Sequence, residues 1–362
     1  MEKKARLTYI DMTKGIAIIL VVIGHSTVCP DNLLTWIASF HMPLFFIVAG
    51  LLFYVKKSQN ETFKDYFNKR FLGIMIPYFI FSVYNILLFY FQSTRHPDIK
   101  TPEFIKDAYL QALSFYGISV LWFLPALFFG ELLFFGIMKK LPKWAAVLAV
   151  LALAVIPSVA RVYLEMVLPI DVAGTFPRYL RYFLYAILRV PAAASFIGIG
   201  YCAGFLKDAF CKKKGAVRGF AEVLAGIALL ALNVYIAFKN DRVDMHYILE
   251  GNPVLFHLGA ASATFGLLLI CKHLPNLKLI SHLGVNSLIV MVTHLDFQVV
   301  SIGLTFAGKV NRLFSADRGL LFYISLALFI LVAELVIIYV MNRWFFFLLG
   351  KKHPVKNSSS DK

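Results

Sequence analysis

Apolar residues run along this chain in unbroken blocks, and the short segments between them carry nearly all the charge. The stretch LWFLPALFFGELLFFGIMKKL is representative, and it does not alternate as the strands of a transmembrane barrel would. At 1.5 Å rise per residue, about 20 apolar residues in a helix cross the hydrocarbon layer. Lipid offers no partner to an unpaired backbone amide, so each block is expected to close its own hydrogen bonds as a helix. The blocks predict spans near 12–30, 33–55, 71–92, 119–138, 144–167, 181–206, 219–238, 254–271, 280–303 and 319–342. The expected fold is an all-α polytopic bundle of roughly ten transmembrane helices around a central polar cavity.

The connections set the orientation. With the N-terminus inside, the inner segments hold Lys3, Lys4, Arg6 and Lys14, then Lys56, Lys57, Lys64, Lys69 and Arg70. They continue through Lys139, Lys140 and Lys143, through Lys207, Lys212, Lys213, Lys214 and Arg218, and on to the C-terminal tail. The outer segments hold fewer than half as many basic residues, which predicts that both termini are cytoplasmic. The connection 93–118 mixes Asp98, Lys100 and Glu103 with Phe104, Ile105 and Tyr109, and reads as an amphipathic helix on the membrane surface. Residues 1–350 are expected to form one membrane domain, and 351–362 a polar cytoplasmic tail.

Composition adds little to that picture. The chain has 362 residues, is 60% hydrophobic and only 15% charged, with a mean hydropathy of +0.75. Its net charge of +16 would suggest nucleic acid in a soluble protein; here it belongs to orientation, and no nucleic-acid partner is expected. Cys29, Cys202, Cys211 and Cys271 form no CxxC pair, so they are read as apolar packing. No cleavable signal peptide is evident in MEKKARLTYIDMTKG.

Polar residues inside the apolar blocks cost free energy and mark candidate chemistry. Asp11 and Lys14 are three apart and can pair on one helical face. His25 follows Lys14 by roughly 16 Å along the same helix. His41 and His294 come to a similar depth on two other spans, which suggests one cavity holding three imidazoles. Pro43 is expected to kink its helix and free a carbonyl. The alternative readings are a snorkelling anchor for Lys14, a helix-packing hydrogen bond for His25 and a zinc site for the three histidines. No HxxxH or acidic ligand pattern accompanies them, so no metal is expected. Glu131 lies well inside its span and must be paired, protonated or solvated, with Arg189 as one partner for it. Arg161 and Glu165, four apart, are expected to pair with each other.

Five segments, YIDMTKGIAIILVVIGH at 9–25, FHMPLFFIVAG at 40–50, KRFLGIMIPYFIF at 69–81, LWFLPALFF at 121–129 and LGVNSLIVMVTH at 283–294, together resemble the membrane-bound acyltransferase-3 family. The branch they resemble is that of the fucose 4-O-acetylase-related proteins. The family's signature, a basic residue followed after ten others by histidine, is here Lys14 and His25, with lysine where many members carry arginine. Relatives often have two basic residues three apart before the third helix; here Arg70 stands with Gly73, and Lys69 is the substitute.

The resemblance implies an acyl-CoA co-substrate, acetyl-CoA first, no permanently bound cofactor, and a sugar or glycan hydroxyl as acceptor. Lys14, Lys69 and Arg70 suit the donor's phosphates by charge, though Lys69 and Arg70 would also serve orientation alone. His25 is expected either to take the acceptor's proton or to accept the acyl group itself. His294 and Asn286 would orient His25 or hydrogen-bond the donor, Asn286 would equally serve as a polar cap near the start of its span, and Trp122 would line the donor channel or belt the interface. His41 and Glu131 are expected on the acceptor side. A transporter or flippase for a lipid-linked sugar is the alternative; the inverted repeat that would favour it is not evident.

Overall fold

The apolar blocks do fold as helices. The computed structural model describes residues 7–95, 97–169, 171–210, 216–314, 319–351 and 353. Most of the polar tail, Lys3, Lys4, Arg6, Cys211, Lys212, Lys213, Lys214 and Arg318 lie outside the described residues. In chain order the helices are α1 (Thr8–Gly24), α2 (Asp31–Ala38), α3 (His41–Lys56), α4 (Phe63–Arg70), α5 (Ile76–Ser93), α6 (Pro102–Leu113), α7 (Phe123–Lys140) and α8 (Lys143–Leu153). They continue as α9 (Ile156–Val167), α10 (Thr175–Phe210), α11 (Ala216–Lys239), α12 (Pro253–His273), α13 (Lys278–Val285), α14 (Ser287–Thr293), α15 (Val299–Leu313) and α16 (Leu320–Arg343). Among the described residues the only β pairing is an isolated bridge between Asp244 and Leu249.

Among the described residues, eight helical segments are long and apolar enough to cross a membrane. Two of the ten expected spans are not among them. α1 ends at Gly24 after 17 residues, and 280–303 is not one helix. Asn286 interrupts it with a non-helical ψ of 17°, and its side-chain amide donates to the His282 carbonyl at 2.9 Å. Gln298, at φ 57°, then turns the chain into α15. The segment is therefore two short helices, α13 and α14, followed by a reversal.

Other boundaries moved for local reasons. The second span is broken at Ser39 and Phe40, upstream of Pro43, which sits in the first turn of α3 where its missing N–H is tolerated. Ser39 Oγ at the break accepts a hydrogen bond from the Asn233 amide of α11 at 3.0 Å. A π-helical turn over Phe71–Met75 joins α4 to α5 just before Pro77. The amphipathic helix at 93–118 is α6, N-capped by Thr101 and pinned to α10 by a hydrogen bond from the Tyr182 hydroxyl to Asp107 at 2.8 Å.

One close helix crossing positions the chemistry. A Cβ on Gly15 would stand 2.0 Å from the Ile280 carbonyl oxygen, and one on Gly284 would stand 1.8 Å from that of Asp11. Only glycine lets the α1 and α13 backbones approach this closely, as small residues do between membrane helices. The crossing holds the end of α1 beside the end of α14.

Candidate active site

The two helices place their terminal histidines in contact. His25 follows the last residue of α1, and His294 the last residue of α14. His294 Nδ1 lies 2.8 Å from the Val290 carbonyl, and its Nε2 lies 3.0 Å from His25 Nδ1. A carbonyl only accepts, so His294 carries its proton on Nδ1 and offers Nε2 as the acceptor. His25 must then donate through Nδ1, which leaves His25 Nε2 as the nitrogen with a free lone pair. His294 is fully buried, whereas His25 is exposed to a cavity.

That cavity measures about 350 Å³ and is lined by His25, His41, Trp122, Arg242, Asp244 and His246 among others. His41 Nδ1 lies 2.8 Å from the Ile37 carbonyl at the α2–α3 break, which also accepts from the Phe40 N–H, so His41 keeps its Nε2 lone pair. The loop between α11 and α12 closes the cavity. Arg189 of α10 holds this loop, donating from Nε to the His246 carbonyl at 2.9 Å and from Nη1 to the Tyr116 carbonyl at 2.6 Å. Burial, and then the Arg189 charge, hold the His246 imidazole well below its ordinary pKa, so it stays neutral. Its Nε2 has no hydrogen-bond partner among the described residues.

A second cavity, of about 270 Å³, is basic. Lys14, Lys56, Arg70 and Glu131 line it. Arg70 Nη2 pairs with Glu131 Oε1 at 2.5 Å, and Lys14 with Asp11 at 3.5 Å. Arg70 Nε and Glu131 Oε2 remain buried without a hydrogen-bond partner among the described residues. Met291 of α14 lines both cavities. A larger cavity of about 420 Å³ lies on the other face of α1, against α16; it is apolar apart from Ser26, Cys29, Tyr323 and Glu334 and holds no histidine. Convergent polar groups, more than volume, mark the chemistry.

Several expectations change. Only two of the three histidines, His25 and His41, line one cavity; His294 is buried behind His25 and does not line it, while Asp11 does pair with Lys14. Glu131 pairs with Arg70 in the basic cavity, away from His25 and His41, and not with Arg189, which α10 commits to the loop carbonyls. Lys69 points to Glu61 at 3.0 Å and does not line the basic cavity. Trp122 is on the wall of the histidine cavity, 5.6 Å from the His246 ring, and not in the basic one. Asn286 touches neither cavity; it makes the helix break and accepts from the Asn342 amide at 2.8 Å. Glu165 bonds Arg181 at 2.8 Å in place of Arg161. The sequence reading missed Lys56 as a cavity cation, together with Arg242, Asp244 and His246. A charged loop, NDRVDMHY, was the available sign of the last three. Among the described residues no cluster of three His, Cys, Asp or Glu could hold a metal ion.

A family profile described as an acyltransferase domain matches residues 7–343. No curated protein and no solved structure matches the chain.

Proposed function

The chain belongs to the acyltransferase domain family and is a multi-pass membrane protein, and on that premise we propose that it moves an acyl group, acetyl first, from cytoplasmic acyl-CoA to a hydroxyl of a sugar or cell-surface glycan. The observation that carries this reading is His25: accessible in a polar cavity, oriented through Nδ1 by buried His294, and one residue, Met291, away from a basic cavity. The fucose 4-O-acetylase-related branch fits the same chemistry.

On this reading the donor's phosphates bind Lys14, Lys56 and Arg70, and the bacterial-type cytoplasmic membrane is crossed with both termini inside. Roughly 16 Å separate Lys14 from His25 along α1, a gap the thin arm of the donor would fill. The acceptor occupies the opposite cavity, against His41, Trp122 and the loop residues Arg242, Asp244 and His246. An uncharged hydroxyl is a weak nucleophile, so His25 Nε2 takes its proton as the oxygen attacks the thioester carbon. The resulting imidazolium keeps its Nδ1–H bond to neutral His294, which accepts from the cation and holds the ring in its orientation. The carbon–sulfur bond then breaks, and the same proton returns to the thiolate. The products are an O-acyl ester and free coenzyme A.

The test uses purified protein in lipid nanodiscs, labelled acetyl-CoA and a panel of glycans. Free thiol should appear with one ester per turnover, and His25→Ala should slow transfer by about 100- to 10,000-fold. A His25→Ala protein that transfers at the normal rate would remove the proposed base. Movement of a lipid-linked sugar without ester formation would favour transport.

A further inference from the structure

The two cavities do not merely lie near each other; one face of α14 runs from one into the other. Leu288 lines the basic cavity, Leu295 just past the helix end lines the histidine cavity, and Met291 between them lines both. Spacings of three and four residues put these side chains on one helical stripe. The facing wall follows the same order. On α3, Phe45 lines the basic cavity and Met42 the histidine cavity; at the start of α7, Phe123 and Trp122 divide in the same way. Three elements therefore frame one passage, and Met291 lies across it with 4% of its surface exposed.

The aromatic side chains at this narrowing are held. The Phe123 ring packs on Phe46 and Phe45 at centroid distances of 4.8 and 6.0 Å, and Trp122 meets Phe123 at 6.1 Å. Large rings locked by neighbours cannot turn aside without moving the core. Methionine is unbranched, with three rotatable bonds, and can leave its position by rotamer change alone. Met291 also stands one turn before His294, so a group passing it arrives beside the His25–His294 pair.

We propose that Met291 is the gate between the donor and acceptor cavities, and that its bulk sets the widest acyl group that can be brought to His25. The inference rests on the reading of the basic cavity as the donor site. With no donor arm in place the thioether fills the passage and keeps the two polar cavities apart. When the donor enters from the basic side, its acyl end must pass first, and the arm then occupies the space the thioether has left. A narrow, unbranched acyl group clears the gap between Met291 and Phe123. A group branched beside its carbonyl or bearing a ring does not.

The experiment measures transfer from acetyl-CoA, isobutyryl-CoA and benzoyl-CoA by the nanodisc-embedded protein and its Met291→Ala, Met291→Leu and Met291→Phe variants, with coenzyme A binding followed separately by calorimetry. Met291→Ala should raise the use of isobutyryl relative to acetyl by about tenfold, the discrimination that a methylene or two in an apolar passage supplies. Met291→Phe should cut kcat for acetyl transfer by about tenfold or more with a much smaller loss of coenzyme A binding, because the nucleotide end docks elsewhere. Met291→Leu, similar in volume, should keep the normal preference. If Met291→Phe fails to fold, the acyl preference of Met291→Ala decides alone. Unchanged preference in Met291→Ala with normal coenzyme A binding overturns the gate and leaves the donor site standing. No coenzyme A binding by the unmodified protein overturns the donor reading and the gate with it.

Discussion

Removing Arg70 should do two things at once, and the structure says how to tell them apart. Arg70 reaches Glu131 at 2.5 Å, and the Glu131 side chain is only 3% exposed against 24% for Arg70. Breaking a buried ion pair by deleting one partner costs about 3–5 kcal/mol, because the other charge is stranded. The exposed edge of Arg70 and the nearby Lys56 put Arg70→Ala at the low end, about 3 kcal/mol. Losing one charge-assisted hydrogen bond to a donor phosphate costs a further 1.5–3 kcal/mol or so of binding. At about 1.4 kcal/mol per factor of ten, that raises the donor KM about 10- to 100-fold. Glu131→Gln removes the stranded charge and keeps an acceptor for Arg70, so it separates the effects. The double variant Arg70→Ala/Glu131→Gln should recover most of the lost stability and none of the donor affinity. Initial rates with donor and acceptor varied independently, together with thermal unfolding in nanodiscs, read both quantities. The acceptor KM should stay within about threefold throughout, since Arg70 binds remotely from the acceptor. A normal donor KM in the double variant would refute the donor role and leave Arg70 as the partner of Glu131 alone.

His294→Ala leaves His25 in place and removes its orienting acceptor; kcat should fall by about 100-fold or more with coenzyme A binding unchanged, and a normal kcat would show that the His25–His294 bond is not used. Gly284→Ala would drive a Cβ to 1.8 Å from the Asp11 carbonyl oxygen, so α1 and α13 must part, at about 1–3 kcal/mol of stability, and transfer should drop. Gly136→Ala, with nothing within 4 Å, is the control, and equal melting temperatures for the two variants would sink the steric argument. Burial pushes the Glu250 carboxyl, bonded to Ser158, up from 4.5 to about 7. A raised carboxyl favours the folded state in its protonated form, so its stabilising contribution is full below pH 4.5 and is lost as pH rises through about 7. Glu250→Gln should flatten that decline in melting temperature between pH 5 and 9, and an unchanged slope would assign it to another group.

Much of this protein was legible one residue at a time. Lipid transfer is a local property, so the length of most apolar blocks announced a helix, and the blocks together announced a polytopic bundle. Depth along a helix is local too, since 1.5 Å per residue carried His25 and His294 to the same level without any knowledge of their neighbours. Asp11 and Lys14 paired because three residues separate them on one helix. Partners on different helices were another matter. The sequence offered Arg189 as a partner for Glu131 and did not point to Arg70; the packing of α4, α7 and α10 made that choice. The same holds for the α11–α12 loop that brings His246 under Trp122, and for the break at Asn286, where a side-chain amide outbids the helix for a carbonyl. The tautomers of the histidine pair follow from a 3.0 Å contact that exists only because Gly15 and Gly284 let two backbones touch. Hydropathy and spacing along one chain fix how deep a side chain lies, and only the crossing of helices decides which other side chain it faces there.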